Sequence, residues 1–94
     1  MDIKHYFYIA RCNDGSLYSG ATKNVEARIN RHNQGKGGKY TRGRKPITLV
    51  YKEEFSSLLL ARRRESEVKS WGRKKKEELI EAAGFPRPMA SGLM

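Results

Sequence analysis

The sequence predicts an α+β domain: a small three-stranded antiparallel sheet flanked by three helices. Three observations carry that reading. The run HYFYIARC, rich in aromatic and branched residues, ends at the turn signal Asn13-Asp14-Gly15-Ser16, and the chain runs on as LYSGAT, the pattern of a β-hairpin. A third run of the same composition, Ile47-Thr48-Leu49-Val50-Tyr51, follows a glycine-rich segment. Outside these runs, apolar residues recur at helical spacing.

The register of the hairpin decides which side chains meet, because a shift of one residue reverses every face. With Asn13-Asp14 in a type I turn and Gly15 as a left-handed bulge, position 10 pairs with 18 and position 8 with 20. Tyr8 and Tyr18 then point to one side of the sheet. Asn24 is placed to cap a helix over residues 25 to about 33, with Val25, Ile29 and His32 on one stripe and Arg28 one turn from His32. The segment GKGGKYTRGRKP, residues 35–46, carries four glycines and five basic residues around Tyr40 and reads as a mobile basic loop without regular structure. The strand that begins at Ile47 is expected to be the central or second one of the sheet and to end near Phe55.

Ser56 or Ser57 is expected to cap a second helix over about 57–71, with Leu58, Ala61, Val68 and Gly72 as its inward stripe. Glu65 lies within that stripe and needs a partner, Arg28 or Arg62 among the candidates, because a carboxylate turned toward a core is costly alone. Glu67 lies on the side of Leu60 and Arg64 and needs none. A third, short helix runs from Arg73 to about Ala83 with Leu79, Ile80 and Ala83 inward, and Gly84 stops it. Residues 1–84 form the domain in this reading, and 85–94 an unfolded tail.

Composition narrows the function. The 94 residues suffice for one domain with one modest core. Twenty Lys and Arg against ten Asp and Glu give a formal net charge of +10, which points to a polyanionic partner and most often to nucleic acid. A single cysteine, Cys12, excludes an internal disulfide, and Cys12 with His5 and His32 falls short of four ligands for a structural zinc. The N-terminus lacks a secretory pattern, and no apolar run approaches the roughly 20 residues that span a bilayer. A cytoplasmic protein without membrane contact is the expectation.

The ordered set Tyr6-Phe7-Tyr8, Tyr18-Ser19-Gly20, Arg28, His32 and Glu65 resembles the GIY-YIG nuclease domain over residues 5 to about 82, and the small stand-alone bacterial members most of all. The first motif has Tyr6 where the family's name has glycine, and the second has Ser19 for isoleucine or valine. Ala21 stands where some repair nucleases carry lysine, and no asparagine follows the last helix. The resemblance implies a metal-dependent endonuclease with Tyr8, Tyr18, Arg28, His32 and Glu65 as the catalytic set. It further implies one divalent ion, Mg²⁺ or Mn²⁺, on Glu65. In this scheme Arg28 grips the phosphate, Tyr8 orients or deprotonates water, Tyr18 positions water or phosphate, and His32 relays a proton or donates to the phosphate. Tyr8 could act as a base at neutral pH only if neighbouring cations lowered its pKa from about 10.

Lys36, Lys39, Tyr40, Arg42, Arg44 and Lys45 are the expected contacts to a nucleic-acid backbone, DNA before RNA. Family members usually take specificity from attached DNA-binding domains, and none is evident here, so weak sequence preference or a protein partner that supplies specificity is expected. Two other function classes fit the same composition: a basic binding module without catalysis, and an adaptor that docks through Arg62, Arg63 and Arg64.

Overall fold

The computed structural model describes residues 3–84, so the expected tail lies outside the described residues. The elements run β1 His5–Arg11, β2 Leu17–Thr22, α1 Val25–Asn33, α2 Lys39–Arg42, β3 Thr48–Phe55, α3 Leu58–Lys69 and α4 Arg73–Ala82. The three strands form one antiparallel sheet in the order β2-β1-β3, with helices packed against it. The α+β class and the three-stranded sheet are as the sequence predicts, with the one-turn helix α2 added inside the glycine-rich segment.

The hairpin closes as anticipated. Gly15 has φ +86°, its N–H donates to the Cys12 carbonyl at 2.9 Å, and the Cys12 N–H donates to the Ser16 carbonyl at 2.8 Å. Ala10 therefore pairs with Tyr18 and Tyr8 with Gly20. The expected place of β3 is corrected: β1 is central and β3 lies on an edge. Phe7, Tyr8, Ile9 and Ala10 are all fully buried, so β1 is apolar on both faces and must be covered on both sides. β3 carries Lys52, Glu53 and Glu54, charges of the kind that protect an exposed edge. The β1–β3 register shifts between Ile9 and Ala10, where Tyr51 and Leu49 are the partners and Val50 is the extra residue of a bulge.

The alternation along β1 sends its side chains to two unlike faces. On one, Phe7, Ile9, Val50, Tyr51, Val68 and Ile80 form an apolar cluster with Trp71 and Leu79 against it. Full burial of one such side chain stabilises by roughly 1.5–3 kcal/mol, so this face anchors the fold. On the other, Tyr8, Ala10, Cys12, Val25 and Ile47 meet Tyr6, Tyr18 and Ile29, so three tyrosines pack among the aliphatic groups.

Each helix has a local cause. Asn24 caps α1 by accepting from the Ala27 N–H at 3.0 Å, and Ser57 caps α3 through the Leu60 N–H at 3.2 Å. Ala61 and Val68 are fully buried beneath α3. Leu58, expected inward, is 37% exposed, because the first turn lines a surface cleft with Ile3, His5 and Phe55. Gly72 is the N-cap of α4 and not part of the α3 stripe. Ala83, also expected inward, is the exposed C-cap of α4 beyond the buried Ile80, and Gly84 at φ +82° ends the helix.

A paired tyrosine on the anchoring face makes one stability prediction. The Tyr51 hydroxyl donates to the Glu53 carboxylate; burial first, then that bond and the Glu53 charge, push the phenol up to about 12. The folded state therefore keeps a proton that the unfolded chain releases near pH 10, so stability is full below pH 10 and is lost as pH rises toward 12. Denaturant melts across that window should show a shallower loss for Tyr51→Phe than for the parent protein.

Candidate functional site

The register of the hairpin brings Tyr8 and Tyr18 together on the polar face, with ring centroids 6.3 Å apart. Gly20 makes room for this. A Cβ at Gly20 would lie 2.7 Å from the Tyr8 hydroxyl and 2.8 Å from its ring, so the residue opposite Tyr8 has to lack a side chain. The Tyr8 hydroxyl is buried and forms no hydrogen bond of full geometry, an unusual condition for a buried phenol, although the Arg28 side chain comes close enough to donate to it once ionised.

Two further helices deliver groups to this hydroxyl. Arg28 from α1 favours its ionisation, while Glu65 from α3, which packs on β2 and β1, opposes it, as does Tyr18. Burial first, then Tyr18 and Glu65, outweigh Arg28 and push the Tyr8 phenol above its ordinary value. The lowering that a tyrosine base would require is thus not supplied by Arg28. Tyr8 is a protonated donor at neutral pH, because the desolvation of a fully buried phenolate exceeds the help of one half-buried guanidinium.

His32 approaches from the same helix as Arg28. It is 2% exposed, its ring meets Tyr18 edge-on at 5.1 Å, and its Nδ1 lies 2.6 Å from the Thr41 hydroxyl. Its Nε2 is buried without a partner. Burial first, and Arg28 second, hold its pKa below the ordinary histidine value of 6.5, so the ring is neutral at physiological pH.

Glu65 is paired, though not with Arg28 or Arg62. Lys69, one turn along α3, reaches it at 2.9 Å, and the ammonium is 55% exposed while the carboxylate is 21% exposed. Such an exposed i,i+4 pair is weak, so the carboxylate can exchange its partner at small cost. Glu67 pairs with Arg64 at 2.9 Å on the far side of the helix. Arg28 forms no ion pair with a carboxylate among the described residues.

A metal must fit this donor set. Among the described residues no three His, Cys, Asp or Glu side chains gather, which rules out a closed cage there. One carboxylate beside an unpartnered buried hydroxyl suits a hard ion that keeps most of its waters, as Mg²⁺ or Mn²⁺ does, and not a tetrahedral zinc centre.

The basic segment borders the site and is more ordered than its glycines suggest. Gly38 begins α2, which places Tyr40 at 5.7 Å from Tyr18. Tyr40 is 41% exposed. Arg44 lies over the Tyr40 ring at 4.2 Å and pairs with Asp14 of the hairpin turn at 3.1 Å, so it fastens the segment and is only partly available to a ligand. Lys36, Lys39, Arg42 and Lys45 are exposed. At its far end, Asn33 holds the segment by donating to the Ile47 carbonyl at 3.0 Å and accepting from the Ile47 N–H at 2.6 Å.

Reading the sequence missed Thr41, Gly37 and Asn33, all of which hold the segment to α1 or β3. No residue pattern marks them, since each works through a contact that exists only after folding. Lys69 could have been found from its i,i+4 spacing to Glu65.

The GIY-YIG catalytic domain family matches residues 4–78. A UPF0213 protein of Staphylococcus haemolyticus is 58% identical over 83% of this chain and 95% of its own length, and one of Haloquadratum walsbyi is 51% identical over 86% and 91%. The solution NMR structure of a UPF0213 protein from Bacillus halodurans, 51% identical, aligns over 88% of each chain with a TM-score of 0.58. That of a protein from E. faecalis is 37% identical and aligns over 90% of this chain and 91% of its own with a TM-score of 0.59.

Proposed function

The chain belongs to the GIY-YIG family of catalytic domains, and from that premise we propose that it is a metal-dependent endonuclease that hydrolyses phosphodiester bonds in DNA with weak sequence preference. Membership of the family implies nuclease activity. The observation that carries the finer reading is the buried, unpartnered Tyr8 hydroxyl on which Tyr18, Arg28 and Glu65 all act.

In this reading each group has one task. Glu65 holds the divalent ion, Mg²⁺ or Mn²⁺, which when bound supplies positive charge to the oxygens of the reacting phosphate. Arg28, unpaired with any carboxylate among the described residues, offers its fork of donors to the nonbridging oxygens, a geometry that lysine lacks. Tyr8 donates a hydrogen bond that orients the attacking water, and Tyr18 positions water or phosphate. His32, neutral at physiological pH, accepts the proton that water loses. Lys36, Lys39, Arg42 and Lys45, with Tyr40 beside Tyr18 and Arg44 partly engaged, follow the backbone of the nucleic acid.

The direct test incubates the purified protein with single-stranded, duplex and branched DNA, and with RNA, in Mg²⁺ or Mn²⁺. Chelator-sensitive cleavage of DNA is expected. The exposed cations also support a second reading, a nucleic-acid-binding module or adaptor without catalysis, and binding without products from every substrate would favour it. Either way, binding should weaken with salt, and replacing Arg42 and Lys45 by glutamine should lower the slope of log K against log salt by about one per lost phosphate contact. An unchanged slope would take the segment out of the interface.

A further inference from the structure

We propose that Thr41 is a positioning residue for His32: it holds the imidazole as the Nδ1–H tautomer and so reserves the Nε2 lone pair for the proton transferred in the reaction. The transfer step rests on the nuclease reading above; the tautomer does not. Thr41 is fully buried and His32 nearly so. The Thr41 Oγ1 lies 2.6 Å from Nδ1 and donates to the Gly38 carbonyl at 3.3 Å. A hydroxyl has one proton and a carbonyl has none to give. We assign the threonine proton to Gly38, and the short contact to the ring is then a hydrogen bond only if Nδ1 carries the hydrogen; donation from Oγ1 to Nδ1 would give the opposite tautomer, with the hydrogen on Nε2. Neutral imidazole has a single N–H, so with Nδ1 protonated Nε2 is bare, and it has no partner among the described residues.

The same segment fixes the ring sterically. A Cβ at Gly37 would fall 1.9 Å from Nδ1 and 2.7 Å from Cε1, so the backbone itself forms a wall of the imidazole slot. The groups that face the ring are Tyr18 from β2, edge-on at 5.1 Å, Arg28 from α1, whose charge disfavours an imidazolium, and Thr41 from α2. No carboxylate pairs with His32 among the described residues, so the usual acidic orienting partner of a catalytic histidine is replaced here by a hydroxyl backed by a carbonyl. Thr41 sits between Tyr40 and Arg42, so contact of those two residues with a nucleic acid bears on the same short helix that aims the imidazole.

The test uses the full chain labelled with ¹⁵N-histidine, in which His5→Gln assigns the two histidines. Imidazole ¹⁵N spectra at neutral pH should show His32 protonated on Nδ1 and bare on Nε2. Thr41→Ser should keep that tautomer and Thr41→Val should lose it. With cleavable DNA, Thr41→Val should lower kcat about ten- to a hundredfold, the scale on which loss of a histidine's orienting partner acts, with KM little changed, and Thr41→Ser should restore most of the rate. A wild-type ring protonated on Nε2, or a tautomer or rate indifferent to Thr41→Val, overturns the proposal. If Thr41→Val does not fold, the wild-type and Thr41→Ser spectra decide it alone. Should no substrate be cleaved while the tautomer responds as described, the nuclease reading fails and the hold of Thr41 on the ring stands.

Discussion

Replacing Glu65 with alanine should lower DNA cleavage roughly 10³-fold while leaving thermal stability nearly unchanged. The first half follows from scarcity. Glu65 is the carboxylate that acts on the Tyr8 hydroxyl, and no cluster of acidic or histidine side chains among the described residues stands ready to replace it. Without it the proposed site has no anionic ligand, and a hydrated divalent ion has no reason to reside there. The second half follows from what Glu65 contributes to the fold: one exposed pair with Lys69, worth about 1 kcal/mol or less and partly offset by the better helix propensity of alanine. Single-turnover cleavage and thermal melts of the two proteins measure both halves. Equal product from parent and variant would remove this residue from the mechanism, and a large fall in melting temperature would recast it as structural.

What could be read from the sequence follows the range of the interactions involved. The hairpin register was legible because one local device, a left-handed glycine after a two-residue turn, fixes it. The α1 cap and the burial of Ala61, Val68 and Ile80 were legible for the same reason: caps and stripes are set within one or two turns. The place of β3 was not, because strand order depends on which strand needs covering on both faces, and that is a property of the whole sheet. The glycines of the basic segment misled in an instructive way. Gly37 reads as freedom in a chain and acts as closeness in the fold, admitting the His32 ring where any Cβ would collide with it. The pKa of Tyr8 was beyond sequence altogether, since it turns on burial and not on the nearest cation.

That burial leads to the second large effect, in which stability and activity should move in opposite directions. Tyr8→Phe removes a hydroxyl that is buried without a hydrogen-bond partner and leaves a ring whose surroundings, Gly20 and Tyr18 among them, are otherwise filled. An unsatisfied buried polar group costs about 1–3 kcal/mol, so the variant should be more stable by about 1 kcal/mol in denaturant melts. Its cleavage rate should fall at least 10²-fold, the usual scale for losing a group that handles the attacking water, while its affinity for DNA at a fixed salt concentration stays the same because the basic segment is untouched. A tyrosine kept only for packing would predict a small stability change and full activity. A hydroxyl satisfied by Arg28 in solution would predict a loss of stability. The proposed site requires the remaining combination, a protein that is sturdier, binds as before and no longer cuts, because in that proposal the hydroxyl meets the attacking water and not a group of the fold.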